Sequence, residues 1–430
     1  MERLIGVLGV AVFIAIAWLI SFDRKRVPWR LVLAGVIVQV VIAALALTFP
    51  PIVAAVNVLA VFVTGVIDSA RAGIEFIFGK ALSDESGPWG WVFAIRALPV
   101  IIYFAALSAV LYHFGIMQKI IAGLAWVLRR TMGVTGAEAL VTAANVFIGQ
   151  TEAPFVVKPL LARMTRAQLM LLMVGGFATM AGSVLAAYVG LLGGADDAAR
   201  EMVTRNLLLA SVMSAPAAIV MARIVMPETE RPPDERHVEL GESERATNVF
   251  EAATIGATDG LKLALNVAAM LIAFVAIVAL LNWPLAWFSG LEGVAAWREA
   301  RGLPVFSVEW ALGAVLAPLA WVMGVGWTDA GEVGSLMGQK VMLTEFIAYS
   351  SLTEMIHDTE GARISARSSA ISMFALCGFA NVASIGIQIG GISALAPSRR
   401  GDLARLAPRA MVAGALASWT TAAIAGMFLR

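Results

Sequence analysis

Residues 135–163 read TGAEALVTAANVFIGQTEAPFVVKPLLAR, and this stretch decides the fold. An apolar arm lies on each side of a polar centre, Gln150-Thr151-Glu152. In lipid, each arm is too short to cross ~30 Å of hydrocarbon at ~1.5 Å per residue. A helix–turn–helix that enters and leaves by one face satisfies its backbone and still carries the centre to mid-depth. Non-helical backbone at that depth is tolerated only against protein or a water-filled cavity. The stretch is therefore expected to form a re-entrant hairpin. Residues 333–356, VGSLMGQKVMLTEFIAYSSLTEMI, repeat the design, with Thr344-Glu345 in the place of Thr151-Glu152.

Composition makes lipid the solvent. Of 430 residues, 60% are hydrophobic and 14% charged, and a soluble domain needs a larger charged shell than that. A net charge of +1 supplies no basic field for nucleic acid. The single cysteine, Cys377, excludes an intramolecular disulfide and fits a reducing or indifferent compartment. At the N-terminus, the apolar run Leu4 to Ile20 precedes Asp23-Arg24-Lys25-Arg26. A cleavable signal has the opposite order, so this run reads as a retained membrane helix with its N-terminus outside.

Apolar stretches near the ~20-residue spanning length occur at 3–21, 31–49, 91–112, 168–192, 203–225, 262–282, 368–395 and 408–429. The expected fold is thus an all-α polytopic membrane protein of about eight spans, with two re-entrant hairpins. Basic residues gather at Arg24/Lys25/Arg26/Arg30, Arg129/Arg130 with Arg163/Arg166, Arg231/Arg236/Arg245 and Arg399/Arg400/Arg405/Arg409. The gaps at Asp196–Glu201 and Ser83–Glu85 are acidic or weakly charged. Lys/Arg bias then puts both termini outside and the loop 227–247 (PETERPPDERHVELGESERAT) inside, solvated and mobile. Residues 63–82 and 117–131 set charges beside apolar faces at helical spacing, which suits helices lying in the interface. An ordinary loop helix is the alternative.

The polar-centred hairpin is one part of a larger repeat. Each hairpin is followed by an apolar span interrupted by small and polar residues. The first runs Gly176-Phe177-Ala178-Thr179-Met180-Ala181-Gly182-Ser183, the second Gly378-Phe379-Ala380-Asn381-Val382-Ala383-Ser384-Ile385-Gly386. One more helix follows each. The first unit starts inside; the second, after one intervening span, starts outside. Inverted repeats with broken helices and polar groups at mid-membrane are the pattern of secondary transporters, although short Gly/Ala/Ser strings also recur on packing faces. The chain divides into two N-terminal spans (1–50), interfacial helices with span 3 (51–134), the first repeat (135–226) and the loop 227–247. Span 6 with an external helix (248–325) and the second repeat (326–430) complete it.

A carboxylate at bilayer centre costs ~2.5–3.5 kcal/mol on insertion scales, so an intramembrane Glu is a functional candidate by default. Glu152 and Glu345 qualify, accompanied by the neutral hydrogen-bonding groups of Asn145, Gln150, Thr151, Thr179, Asn381 and Ser384. Two carboxylates among amides and hydroxyls suit a neutral, polyhydroxylated ligand and repel an anion.

At this point the residues resemble a family. Gly149-Gln150-Thr151-Glu152-Ala153-Pro154, Glu345-Phe346-Ile347-Ala348-Tyr349, the string Asn381 to Gly391, and Arg96-Ala97-Leu98-Pro99 leading to Leu111-Tyr112-His113 are similar to the concentrative nucleoside transporters. The resemblance runs from about residue 90 to the C-terminus. It implies a symporter that imports nucleosides by alternating access, assembled as a trimer in the inner membrane of a bacterium-like cell. It also implies that Gln150, Thr151 and Glu152 bind the base with Val184 packed against it, that Glu345, Asn381 and Ser384 hold the ribose, and that Phe379 lines the pocket. The side chains of Asn145 and Thr179, with the carbonyls of Ile148 and Met180, would hold the coupling ion, sodium, with the proton as alternative. Thr344 departs from the Asn common at its position, and Thr179 and Met180 depart from the usual sodium-coupled pattern.

Other residues carry less. Arg96 anchors a helix end at headgroups or forms a structural salt bridge. Lys158 and Pro159 orient the second hairpin arm. His113, His237 and His357 show no metal-ligand spacing, the twelve Trp fit an aromatic belt, and Cys377 reads as a packing residue. A membrane-bound transferase would show paired Asp or an Asp/His cluster at a membrane face; no such cluster appears in the sequence, so no enzymatic activity is expected. A channel would need an open pore, whereas two inverted broken helices predict alternating access.

Overall fold

The computed structural model describes residues 2–83, 92–194, 196–233, 246–358 and 361–429. These fold entirely into helices and connecting turns, with no strand among the described residues. Two N-terminal helices, α1 (Glu2–Leu19) and α2 (Trp29–Thr48), are followed by α3 (Pro50–Asp68), α4 (Ala70–Phe78) and α5 (Lys80–Ser83). Then α6 (Phe93–Arg96) meets α7 (Leu98–His113), and α8 (Ile116–Met132) leads into the first repeat. That repeat comprises the hairpin α9 (Gly136–Ile148), α10 (Ala153–Val156) and α11 (Lys158–Leu161), the broken span α12 (Arg166–Ala178) and α13 (Gly182–Gly193), and the long α14 (Asp197–Val225). A second stretch brings α15 (Val249–Ser289), α16 (Glu292–Glu299) and α17 (Val308–Val322). The second repeat has the hairpin α18 (Ala330–Met342) and α19 (Glu345–Ile356), the broken span α20 (Ala366–Leu376) and α21 (Val382–Leu395), and the long α22 (Arg400–Phe428).

The two repeats are inverted, and α1 is the ruler that shows it. At eighteen residues it is about 27 Å long. Its far end meets the end of α14, where the Phe22 N–H donates to the Val225 carbonyl at 2.8 Å. The same end meets the start of α22, with the Arg409 guanidinium 3.9 Å from the centre of the Phe22 ring. The near end of α1 meets the end of α22, where a Cβ on Gly6 would lie 2.6 Å from the Ala423 carbonyl oxygen. So α14 ends where α22 begins.

Matching polar clusters close the outer end of each repeat. In the first, Thr135 and Glu138 form a capping box at α9, and Thr165 and Gln168 another at α12. Gln168 Nε2 reaches Thr135 Oγ at 3.4 Å. The buried carboxylate of Glu138 pairs with buried Arg223 in the last turn of α14, and the Thr165 hydroxyl donates to Glu228 at 2.7 Å. In the second, Asp329 before α18 accepts from the Ser365 hydroxyl at 2.8 Å and its N–H at 3.0 Å. Arg367 in α20 donates to the Gly426 and Leu429 carbonyls at the end of α22, at 2.6 and 2.7 Å. Each cluster ties the start of a hairpin or its broken helix to the end of the following long helix. Several basic loops expected on one face do share one end: Arg399 donates to the Ala162 carbonyl at 3.2 Å, and Arg166 pairs with Asp402 at 3.3 Å.

Boundaries differ from expectation for physical reasons. The span expected at 262–282 is the apolar middle of a 41-residue helix, α15, which Asn248 caps by accepting from Glu251 N–H. Its first turns are polar, so hydropathy alone missed them. Residues 50–68 form a 19-residue apolar helix, α3, long enough to cross by length and composition. Its contacts keep it at one end of the bundle instead: Asn57 with Arg205 at 3.4 Å, Thr64 with Thr204 at 2.9 Å, and Asp68 with Arg200, all on the first turns of α14. The interfacial segment expected from 63 therefore starts at 50. Helix α8 matches its interfacial expectation, burying Met117, Ile121, Ala125, Leu128 and Met132 on one stripe while Trp126 and Arg129 face outward. The second arm of the first hairpin splits into α10 and α11, each with a proline in its first turn. Residues 234–245 of the loop 227–247, with His237, Arg236 and Arg245, lie outside the described residues, as do 84–85 of the acidic gap. Counting α12/α13 and α20/α21 as one broken span each, α1, α2, α6/α7, α14, α15 and α22 complete the eight spans.

Candidate functional site

The tip of the first hairpin is held by close approach. Gly149 ends α9 at φ +88°, and a Cβ there would stand 2.9 Å from the Ala181 Cβ in the break between α12 and α13. A left-handed conformation and this contact both call for glycine. The next residue, Gln150, is buried and gripped by its amide. Its Nε2 donates to Ser384 Oγ at 3.2 Å, and its Oε1 accepts from Gln388 Nε2 at 3.0 Å. Gln388 also donates to the Met173 carbonyl at 3.1 Å. Thr151 and Glu152 are exposed in the single chain, whereas Val184 on α13 is buried. Tyr112 of α7 and Asp259 of α15 lie within electrostatic range of Glu152.

The tip of the second hairpin is more enclosed. Thr344 caps α19, its hydroxyl accepting from Ile347 N–H. Glu345 follows, only 3% exposed. Its Oε1 accepts from the Tyr188 hydroxyl at 3.1 Å and its Oε2 from Asn381 Nδ2 at 2.8 Å. Asn381 Oδ1 in turn accepts from Ser384 N–H at 2.8 Å, capping α21. One side chain thus fixes both the carboxylate and the restart of the broken helix. Tyr188 lies against Tyr349 and Phe346, with ring centres 4.3 and 4.7 Å away. Phe379 is half-buried in the break.

The two tips are cross-linked between repeats. The first hairpin reaches α21 through Gln150 and Ser384; the second reaches α13 through Glu345 and Tyr188. The breaks themselves touch, since a Cβ on Gly378 (φ +95°) would lie 2.5 Å from the Ala178 carbonyl oxygen. Chemically, the arrangement offers one carboxylate, Glu345, with amides, a hydroxyl and a phenol that are its and one another's partners. A polyhydroxylated ligand can substitute for those partners without leaving a buried group unpaired.

Beside the first hairpin, Asn145 of α9 and Thr179 at the end of α12 meet around Gly175. The Thr179 hydroxyl donates to the Gly175 carbonyl at 2.8 Å, and a Cβ on Gly175 would lie 3.0 Å from Asn145 Nδ2. Asn145 Nδ2 donates to the Val141 carbonyl at 3.1 Å, while its Oδ1 is buried and accepts nothing. Ile148 is the last residue of α9, and Met180 sits in the break. No group of three or more His, Cys, Asp or Glu placed to hold a metal ion occurs among the described residues. A cation placed here would meet only neutral oxygens, at two helix C-termini whose dipoles favour positive charge.

Sequence reasoning assigned no role to Tyr188, Gln388 or Lys340. Tyr188 lies in an apolar run, where a phenol needs a hydrogen-bond partner. Gln388 stands inside the string that carries the resemblance. Lys340, in the first arm of the second hairpin, is fully buried and donates to the Ala375 and Cys377 carbonyls at 2.9 and 2.7 Å. The rule that marks an intramembrane Glu marks a Lys too. Of the histidines, His357 contacts the Leu192 carbonyl at 3.3 Å and His113 packs against Phe114.

Comparison with known proteins places the chain in a family. The chain matches the family models described as Na+ dependent nucleoside transporter C-terminus over residues 206–426, the N-terminus of the same family over 8–81, and nucleoside recognition over 94–195. It is 41% identical over 430 residues to an uncharacterized transporter of Haemophilus influenzae, covering 100% of this chain and 98% of that one. With human sodium/nucleoside cotransporter 1 it shares 36% identity over 438 residues, covering 99% of this chain and 64% of the relative. The chain therefore spans less than two thirds of that animal relative. Among solved structures it resembles CNTnw in an inward-facing substrate-bound state, at 40% identity, TM-score 0.89 and coverage of 100% and 98%. It resembles an outward-facing variant of CNTnw at TM-score 0.91 over the same shares of the two chains, also with 40% identity.

Proposed function

Because this chain belongs to the concentrative nucleoside transporter family, we propose that it is a sodium-coupled symporter that carries nucleosides inward by alternating access. It is a carrier and not an enzyme. The observation that carries the reading is the enclosed Glu345, whose two oxygens are held by Tyr188 and Asn381 from two different broken helices. A ribose offers two vicinal hydroxyls, and a carboxylate accepts both through charge-assisted bonds, about twice as strong as neutral ones. In this reading Glu345, Asn381 and Ser384 hold the ribose, and Gln150, Thr151 and Glu152 hold the base edge. Val184 packs against it, and Phe379 lines the pocket. Since Gln150 already bonds to Ser384, base and sugar are recognised by one connected network.

The coupling ion is sodium, held by Asn145 and Thr179 with the Ile148 and Met180 carbonyls. The unpaired Oδ1 of Asn145 supports this over a proton, because a buried acceptor without a donor is what a hard cation relieves. The site sits between the first hairpin and the first break, next to Gln150, so filling it stiffens the tip that binds the base. One charge moved across 100 mV is worth ~2.3 kcal/mol, and at ~1.4 kcal/mol per tenfold that supports roughly fifty-fold accumulation. The protein acts in the inner membrane with both termini on the periplasmic side, as the basic loops imply. It acts as a homotrimer; the exposed apolar flank of α15, including Ile272 and Trp283, offers a surface for partner copies and lipid.

Titrating uridine and adenosine into detergent-solubilised protein, in sodium and in choline chloride, tests the reading. Sodium-dependent binding in the micromolar range of affinity is expected. Binding that follows pH and ignores sodium assigns the proton instead, and no binding of any common nucleoside removes the substrate assignment.

A further inference from the structure

The inverted repeats place two equivalent junctions in the molecule, each where the first hairpin arm passes the end of the first half of a broken helix. In the first repeat, α9 passes the end of α12, and the junction holds the unpaired Asn145 Oδ1 beside Thr179. In the second, α18 passes the end of α20, and the junction holds Lys340. Its ammonium, fully buried, donates to the Ala375 and Cys377 carbonyls on either side of the last residue of α20. The Ser418 hydroxyl adds a third polar group, donating to the same Cys377 carbonyl at 2.6 Å. Asn145 lies three residues before the end of its arm and Lys340 two residues before the end of its own.

We propose that the Lys340 ammonium is a tethered cation filling the second, symmetry-related ion site, and that it thereby limits coupling to one mobile sodium per nucleoside. The inference rests on the sodium reading of the first junction. Both junctions gather main-chain oxygens at a helix C-terminus, where the dipole is negative and a hard cation is favoured. In one repeat the charge must come from solution, so that junction can be empty or filled, and its filling can drive transport. In the other, the side chain itself brings the charge, and the junction is occupied without an ion from solution. The tethered charge also lies within electrostatic range of Glu345, so the ribose carboxylate has a standing counter-charge, whereas the hairpin bearing Glu152 waits for its ion.

Replacing Lys340 by Ala opens a polar void lined by carbonyl oxygens and the Ser418 hydroxyl. In proteoliposomes, the ratio of charge moved to uridine taken up is expected to be about one for the parent and to rise towards about two for Lys340→Ala. The Hill coefficient for sodium should rise with it. Should that variant lose transport, its melting temperature in detergent is read against NaCl and choline chloride, alone and with Asn145→Ala. At one NaCl concentration, Lys340→Ala/Asn145→Ala is expected to show a larger sodium-specific stabilisation than Asn145→Ala alone. A sodium response in Lys340→Ala no greater than the parent's, in both ratio and melting, overturns the proposal. The sodium reading fails separately, if the parent itself shows no sodium response.

Discussion

Gln150 in the first hairpin donates to Ser384 in the second broken helix across 3.2 Å of space and 234 positions of sequence. This single bond joins two units that run in opposite directions through the molecule. It lies between the residues assigned to the base and those assigned to the ribose. Any movement of the first hairpin relative to α21 must break or carry it.

Gln150→Ala removes that bond and leaves Gln388 with the Met173 carbonyl alone. The half-saturating uridine concentration is expected to rise about ten-fold, the worth of ~1.4 kcal/mol. Because the two residues share one network, Gln150→Ala/Ser384→Ala should cost less than the sum of the single variants. Concentration-dependent uptake by the three variants measures both effects.

Glu345→Gln keeps the shape but loses the charge and one of the two acceptor oxygens, so an amide NH2 must face either the Tyr188 hydroxyl or Asn381 Nδ2. Uptake should fall by about a hundred-fold or more while the protein remains in the membrane. Tyr188→Phe deletes only one donor to the same carboxylate. A smaller loss, about 1–2 kcal/mol, is expected there. Initial uptake rates normalised to membrane-inserted protein compare the two.

Asn145→Ala and Thr179→Ala should each raise the sodium concentration needed for half-maximal uptake, by about ten-fold. Maximal uptake at saturating sodium should change far less. Sodium titrations at fixed uridine check this, and an equal loss at all sodium concentrations would place these residues in general packing.

Arg223→Met leaves the Glu138 carboxylate buried without its guanidinium. Breaking a buried pair on one side costs ~3–5 kcal/mol, whereas replacing both partners by apolar groups is often nearly neutral. Arg223→Met should therefore melt well below the parent, and Glu138→Leu/Arg223→Met should recover much of the difference. Thr135 and Glu138 also cap α9, so the recovery should be incomplete.

The sequence carried the hairpins and the broken spans plainly, because each has a feature lipid does not tolerate by accident. Short apolar arms around Thr151-Glu152 and Thr344-Glu345 cannot span, and Gly-Phe-Ala followed by a polar residue interrupts an otherwise apolar run at mid-length. Inversion followed from counting spans between them. Less was legible where the deciding partner lies far away in sequence. Tyr188 looks like one more large residue in an apolar run until Glu345 is placed beside it. Lys340 looks like a charged residue near a hairpin tip until the Ala375 and Cys377 carbonyls close on it. Helix α3 has the length of a span, and only its polar contacts to Arg205, Thr204 and Arg200 show where it lies. The polar first turns of α15 hid about a third of that helix from hydropathy, though Asn248 and Glu251 mark its start.

Uptake of radiolabelled uridine and adenosine into proteoliposomes under an imposed inward sodium gradient tests the central claim most directly. Accumulation above the external concentration, abolished when sodium is replaced by choline and in Glu345→Gln, is the result predicted. Equal uptake in sodium and choline, or no nucleoside uptake under either a sodium or a proton gradient, would contradict it.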